Sequence, residues 1–291
     1  QVVSEIENDI TEAAIMHIAD AATGCKEVKE ENTKTGIKEF FSRLILNKNN
    51  NFVLLLVILV AMLVIGSAIN PFFRTWINYS NLFGQSMPLI ILSLGQLIVI
   101  IAGGIDLSSG AVMAASSVIG LSIMVKLGQP PIVGVAVMIV FGILVGFLNA
   151  LLIQKAKVDS FVVTIGMMLV MEGVALIVSP KPFGPSPEIF KTLFNGDILG
   201  LPSALILLII LSIVFTLVLR YTPLGRGFFA VGENKVSAFN AGISVNKHVY
   251  LSYIFCSLMS VFAAIYLLGR FGAADPVLGP GMELQAIACV L

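Results

Sequence analysis

The stretch QLIVIIAGGIDLSSGAVMAASS, Gln96 to Ser117, places one charged residue, Asp106, between two apolar runs. Gly103, Gly104 and Gly110 flank it, and glycine permits backbone conformations and close approaches that other residues do not. A carboxylate at bilayer depth is costly and is normally turned toward protein or a water path. Irregular backbone at that depth is tolerated only where protein or a water-filled cavity surrounds it. The stretch therefore predicts a broken or re-entrant membrane segment near residues 103–110.

The composition indicates an integral membrane protein. Of the 291 residues, 57% are hydrophobic and 12% are charged, and the mean hydropathy is +0.99. That apolar content exceeds what one soluble core can bury. The formal net charge is zero, so no overall field favours nucleic acid as a partner. The cysteines show no CxxC pattern, and we interpret His17 and His248 as solvated loop residues, so we expect no metal site and no cofactor.

Apolar runs along the chain predict an all-α, polytopic helical bundle with about seven complete spans. A span needs about 20 residues. The final run, QAIACVL, is shorter, so we expect it to be the start of a truncated eighth span beginning near Leu284. The seven predicted spans are 52–69, 82–102, 107–125, 132–153, 160–179, 203–219 and 249–269.

Three regions follow from this reading. Residues 1–35 are polar and mixed in charge, which predicts a soluble cytoplasmic flank. Residues 36–50 carry an apolar face at helical spacing, typical of an amphipathic helix in the membrane interface. Residues 51–291 form the transmembrane domain, which we expect to be incomplete at its C-terminus. With the N-terminus inside, inside segments hold twelve Lys and Arg and outside loops hold five, which favours that orientation.

Residues 220–248 form a long inside loop with the signals of a short helix. Asn234 is a suitable N-cap, KVSAFNA is the body, and Gly242 is the stop. Val236, Phe239 and Ile243 recur at helical spacing and predict an apolar stripe. Because so short a helix gains most of its stability from docking, the stripe suggests a partner protein, although packing on its own bundle is an equal alternative.

Two interpretations of the Asp106 region stay open. Asp106 can accept backbone N–H groups at the start of the next helix, or it can contact the transported cargo. Likewise, the serines of this stretch either permit close helix packing or line a pore, namely Ser108, Ser109, Ser116 and Ser117. The combined helix-break or translocation-path set is Gly103, Gly104, Asp106, Ser108, Ser109 and Gly110.

Four segments in order, GGIDLSSGAVMA, VDSFVVTIGMML, TPLGRGFFAVGENKVSAFNAGISVNK and GPGMELQAIACVL, resemble permease subunits of bacterial ABC importers for simple sugars of the ribose and galactose type. The resemblance covers residues 51–291. It implies a homodimer in the bacterial cytoplasmic (inner) membrane, with a cytoplasmic ABC ATPase and a periplasmic or extracellular sugar-binding protein as partners. It also implies that the ATPase-coupling segment falls on 232–243, including Gly232, Asn234, Val236, Ala238, Phe239, Ala241, Gly242 and Ile243.

The N-terminal stretch ENDITEAAIMHIADAATG resembles the closing segment of the ATPase subunits of the same importers. The chain lacks the GxxxxGK[ST] phosphate-binding pattern, so we expect a transport protein whose ATP hydrolysis resides on a separate or fused subunit. The expected function is a membrane-embedded sugar permease. The alternative is an ion-coupled secondary transporter that uses Asp106 or Glu172.

Overall fold

The computed structural model describes residues 51–198 and 200–291, a part of the chain that is predominantly helical. The predicted flank (1–35), with its ATPase-like stretch, and the predicted interfacial helix (36–50) lie outside the described residues. The chain divides after Thr75 into two compact units.

The first unit contributes helix α1, Asn51–Ile69, and a 3-10 turn, Pro71–Arg74. The last four carbonyls of a helix lack partners within the helix. Arg74 satisfies one of them, because its guanidinium donates to the Ser67 carbonyl over 2.9 and 2.7 Å. The Asn70 side chain accepts the Phe72 N–H at 2.9 Å and caps the 3-10 turn. The sequence NPFFR therefore closes the end of α1.

The second unit is a helical bundle with one small hairpin. Strands β1, Asp197–Ile198, and β2, Leu201–Pro202, pair antiparallel. The helices are α2 Trp76–Ile101, α3 Ser109–Val125, α4 Pro131–Lys155, α5 Ser160–Val178, α6 Glu188–Asn195, α7 Ser203–Tyr221, α8 Pro223–Glu233, α9 Lys235–Asn240, α10 Val245–Phe271 and α11 Met282–Val290.

The all-α membrane fold is confirmed. Every one of the seven predicted apolar runs falls on a helix, and the eighth run lies on α11. Within the described residues, α2, α4, α5, α7 and α10 are long and apolar enough to cross a membrane. The other two predicted spans fall on shorter apolar helices, the stretch Leu56–Ile69 of α1 and helix α3. The number of spans therefore stays a prediction.

Helix α10 is the centre of the bundle and the most buried of the five long helices. It packs against α2, α3 and α4, and also against α6. Small residues permit this close packing in membrane bundles. On α4, Gly142 faces the Ser257 carbonyl of α10, and Gly146 faces the backbone of Tyr253 and Ile254.

The connections gather at two ends of the second unit. We call them the α9 end, with residues 102–108, 156–159 and 222–244, and the α6 end, with residues 126–130, 179–202 and 272–274. The chain from 275 to 281 runs from the α6 end to the start of α3, where Gly279 meets Gly110. At the α6 end, the C-terminal carbonyls of α10 accept hydrogen bonds from the α5–α7 connection. Ser186 Oγ donates to the Leu268 carbonyl at 2.7 Å, and Asn195 Nδ2 donates to the Gly269 carbonyl at 2.9 Å.

Gly146→Ala is expected to destabilise the bundle. A Cβ there would lie 2.6 Å from both the Ile254 Cα and the Tyr253 carbonyl oxygen, so α4 and α10 would have to separate. Overpacking of this kind costs about 1–3 kcal/mol. The measurement is the thermal midpoint of unfolding in detergent.

Gly166→Ala on α5 is the matched control. Its Cβ would meet no atom within 4 Å, so replacing a helical glycine is expected to stabilise by about 0.5–1 kcal/mol. Equal midpoints for the two variants would contradict the proposed contact between α4 and α10.

Candidate functional site

The helix break lies between α2 and α3, at residues 102–108. Gly103 has φ +80°, and its N–H donates to the Ile100 carbonyl at 3.0 Å. The Gly104 N–H donates to the Val99 carbonyl at 2.9 Å. This is the Schellman termination of a helix, which needs a residue in the left-handed region at the position of Gly103. The break matches the predicted one, except that Ser109 and Gly110 belong to the first turn of α3.

Asp106 is fully buried within the break, at 0% exposure. Its Oδ1 accepts the Ser108 N–H at 2.8 Å and the Ser108 hydroxyl at 2.6 Å. It therefore accepts a backbone N–H, as one of the two interpretations expects, but it lies two residues ahead of the N-cap of α3, which is Ser108.

Gln96 of α2 supports the backbone of the break. With its side-chain amide oriented to satisfy both groups, the nitrogen donates to the Asp106 carbonyl at 3.0 Å and the oxygen accepts the Asp106 N–H at 3.2 Å. Backbone polar groups at membrane depth must be satisfied within the protein. Gln96 therefore replaces two hydrogen bonds that a continuous helix would have made.

Two further helices hold the break. Asn149 Nδ2 of α4 donates to Ser108 Oγ at 2.9 Å, and the Tyr253 hydroxyl of α10 donates to the Ile105 carbonyl at 3.3 Å. Gln96, Asn149 and Tyr253 were not among the predicted site residues. The available signal was a polar side chain inside an apolar helical run, the type of residue that hydrogen-bonds across membrane helices.

Some hydrogen-bonding capacity at the break remains unused. Among the described residues, no partner is found for Asp106 Oδ2, Ser109 Oγ or Asn149 Oδ1. All three side chains are buried. A buried polar atom without a partner costs free energy, so the network is less stable than a fully satisfied one.

A cavity of about 460 Å³ opens beside the break at the α9 end. Gly103 and Gly104 lie in its wall, together with Ser252 and Tyr253 of α10. Polar residues of other elements complete the polar part of its wall, namely Gln154, Lys157, Asp159, Ser160 and Lys235. Asp106, Ser108, Ser109 and Gly110 are buried and do not line this cavity. Of the predicted break residues, therefore, only the first two glycines reach the cavity.

The short helix α9 forms as the sequence predicts. Asn234 Oδ1 accepts the N–H groups of Val236 and Ser237, both at 2.9 Å. At its other end Gly242 has φ +80°. The Gly242 N–H donates to the Phe239 carbonyl at 2.9 Å, another Schellman termination. Ala241 is the C-cap.

The predicted apolar stripe of α9 is only partly correct. Val236 and Phe239 are 69% and 71% exposed. Ile243 is half-buried instead and packs with the cluster that contains Ala238 and Val249. The Schellman turn reverses the chain and brings the Ile243 N–H to the Ala238 carbonyl at 2.9 Å, so Ile243 faces the protein.

The predicted helix-break set and the predicted ATPase-coupling set meet at Gly232. Any Cβ at Gly232 would overlap the Ile101 carbonyl oxygen at the end of α2. A Cβ at Gly103 would in turn lie 3.6 Å from the Gly232 Cα. The end of α8 therefore packs directly on the start of the helix break.

Two other residues were considered at the sequence level. The interpretation of His248 as a solvated loop residue is wrong, because it is buried in the first turns of α10, where its Nδ1 lies 2.9 Å from the Ser244 carbonyl oxygen. Its ring also packs edge-on against Phe228. Glu172 is half-buried on α5.

Comparisons with known proteins identify relatives over most of the chain. Residues 78–291 match the family described as branched-chain amino acid transport system / permease component. The ribose import permease protein RbsC of Escherichia coli is 32% identical over 81% of this chain and 75% of its own length. The Haemophilus influenzae protein of the same name is 30% identical over 80% and 73%.

A third relative carries a different sugar in its name. The D-allose transport system permease protein AlsC of Escherichia coli is 28% identical over 87% of this chain and 77% of its own length. No solved structure matches the chain significantly.

Asp106→Ala is expected to destabilise the protein by about 1–3 kcal/mol, because it leaves the buried N–H and hydroxyl of Ser108 without their acceptor. Asp106→Asn retains an acceptor oxygen and should cost less. The measurement is again the thermal midpoint in detergent.

Asp275→Ala is the matched control, since Asp275 Oδ1 accepts the Val277 N–H at 2.9 Å with the same two-residue spacing. Asp275 is only half-buried, so water can replace the lost acceptor and the change should be small. An Asp106→Ala midpoint no lower than that of Asp275→Ala would rule out the structural role of Asp106.

Proposed function

The chain belongs to the branched-chain amino acid transport system / permease component family, and from this membership we propose that it is the membrane subunit of an ATP-driven importer of ribose-like simple sugars. The observation that carries the proposal is the similarity to ribose and D-allose permeases over about four-fifths of the chain. These relatives also favour an ATP-driven importer over the ion-coupled alternative.

We propose that the cavity at the α9 end is one half of the sugar path. Its volume of about 460 Å³ is within the about 300–1,000 Å³ typical of small-molecule sites. Hydroxyl groups of a sugar can exchange hydrogen bonds with Ser160 and with the charged groups of Lys157 and Asp159. Uncharged cargo held by a few such bonds is bound weakly, which suits rapid release.

In this proposal Asp106 shapes the path without touching the sugar. Its burial and its two hydrogen bonds to Ser108 support a positioning role. Ser108, Ser109 and Gly110 are buried with it and belong to the same support. Of the predicted helix-break or translocation-path set, only Gly103 and Gly104 would therefore line the path.

We further propose that the ABC ATPase docks on α9. Val236 and Phe239 offer adjacent exposed apolar side chains on a helix capped at both ends. Because the end of α8 packs on Ile101 through Gly232, movement of this segment would reach the helix break directly.

The remaining partners follow from the same proposal. The α9 end faces the cytoplasm of a bacterium and the protein lies in the inner membrane, with the N-terminus inside. A sugar-binding protein docks at the α6 end, and a second permease copy completes the path. Exposed apolar side chains of α4, α5 and α7 contact lipid or that second copy, for example Val140, Val162 and Ile213.

Transport is tested with the full-length protein co-expressed with its ATPase and sugar-binding protein in cells that lack other ribose uptake. We expect uptake of labelled ribose or allose to stop when the ATPase is inactivated and to persist when a protonophore collapses the ion gradient. Uptake that follows the ion gradient and ignores the ATPase would refute the proposal.

Docking is tested by co-purification of the ATPase with Phe239→Ala in detergent. Removing a central apolar anchor costs about 2 kcal/mol or more, so we expect at least roughly tenfold weaker association. The control is Leu193→Ala, which removes another exposed apolar side chain but at the α6 end. Equal ATPase recovery with both variants would exclude α9 as the docking helix.

A further inference from the structure

Glu283 is a buried carboxylate that neither the predicted site nor the proposed function uses. It lies in the first turn of α11 and is only 5% exposed. Its Oε1 accepts the Gly281 N–H at 2.9 Å, whereas no partner for Oε2 is found within the described part of the chain.

The unpaired oxygen of Glu283 faces the start of α3. A Cβ at Gly110 would overlap Glu283 Oε2 and would lie 2.5 Å from the Gly279 carbonyl oxygen. Conversely, a Cβ at Gly279 would overlap the Gly110 carbonyl oxygen. The backbones of Gly110 and Gly279 are therefore in contact, and the Glu283 carboxylate lies beside them. This is the N-terminal end of α3, where the helix dipole favours negative charge.

Along the chain, Gly110 lies between the lining residues of two cavities. The α9-end cavity has Gly104 in its wall. A second pocket of about 250 Å³ at the α6 end is lined by Met113, Ala114 and Ser117 of α3 and by residues of α10 and the 272–281 connection. Between Gly104 and the end of this pocket, all residues from 106 to 118 are buried. Gly110 therefore lies in the buried stretch of chain that runs from the wall of one cavity to the lining of the other.

We propose that Glu283 is a positioning residue of a closed gate, in which residues 279–283 pack on the start of α3 and separate the α9-end cavity from the α6-end pocket. The gate opens when this segment withdraws from Gly110. The proposal rests on the proposed transport function and extends it to a specific contact.

The chemistry of the contact suits repeated opening and closing. Glu283 Oε1 accepts the Gly281 N–H and so holds the 279–283 segment in the conformation that packs on Gly110, and a single hydrogen bond of this kind can break and form again. The backbones of Gly110 and Gly279 meet without interlocking side chains, so they can separate and meet again without any change of rotamer. A larger residue at either position would hold the two segments apart.

Thiol labelling tests the gate without ATP or sugar. The full-length protein, with Cys25, Cys256 and Cys289 replaced by Ala, carries Ser160→Cys in the α9-end cavity. It is reconstituted in vesicles, and a charged, membrane-impermeant thiol reagent is added to one side at a time. We expect labelling from one side only with Glu283 present and from both sides with Glu283→Ala.

Three variants make this result specific. Glu283→Gln keeps the size and the acceptor for Gly281, so it should restore one-sided labelling. Leu284→Ala changes an exposed residue of the same helix and should leave the labelling one-sided. Ala273→Cys in the α6-end pocket should label from the other side in every background. Where Glu283→Ala does not survive purification, Glu283→Asp, which withdraws the carboxylate by one methylene, is scored in the same way.

Passive ribose efflux from vesicles that carry the same Glu283 variants with Ser160 intact separates the two proposals. We expect Glu283→Ala to raise efflux at least tenfold over the unsubstituted protein. One-sided labelling in folded Glu283→Ala would overturn the gate. Two-sided labelling without ribose efflux would support the gate and contradict the sugar path.

Discussion

The need to satisfy the polar backbone groups of the break between α2 and α3 governs this structure. Where α2 stops, residues 102–108 lose the hydrogen bonds that a continuous helix would supply. Glycine at position 103 permits the Schellman turn, Gln96 binds both backbone groups of Asp106, and Asp106 binds Ser108. The carboxylate is thus part of the support for irregular backbone.

That support determines what surrounds the break. Asn149 on α4 and Tyr253 on α10 must approach closely enough to hydrogen-bond with it, and glycines on α4 permit the approach. The space left on the α9 side becomes the polar cavity. Because Gly232 packs on the last carbonyls of α2, the segment that carries α9 lies against the break. The α9-end cavity, the break and the proposed docking helix are therefore one contiguous structure.

Two buried carboxylates, those of Asp106 and Glu283, lie close to the start of α3. Asp106 precedes it and binds Ser108, and Glu283 faces Gly110 in its first turn. The N-terminus of a helix carries partial positive charge from its unpaired N–H groups, so carboxylates are tolerated there without a basic side chain. The different roles that we assign follow from their hydrogen bonds, since Asp106 accepts two from Ser108, whereas Glu283 accepts one, from the N–H of Gly281 in the 279–283 segment.

The sequence alone determined the helical membrane class, the position of the break and the caps of α9, because apolar run length and capping residues act over a few neighbouring residues. It did not reveal that Gln96, Asn149 and Glu283 meet the break region, that His248 is buried, or that Ile243 turns away from Val236 and Phe239. These relations join residues as far apart as Gly110 and Glu283. Only packing of the helices decides them, since which polar side chains face each other depends on how α2, α4, α10 and α11 surround α3.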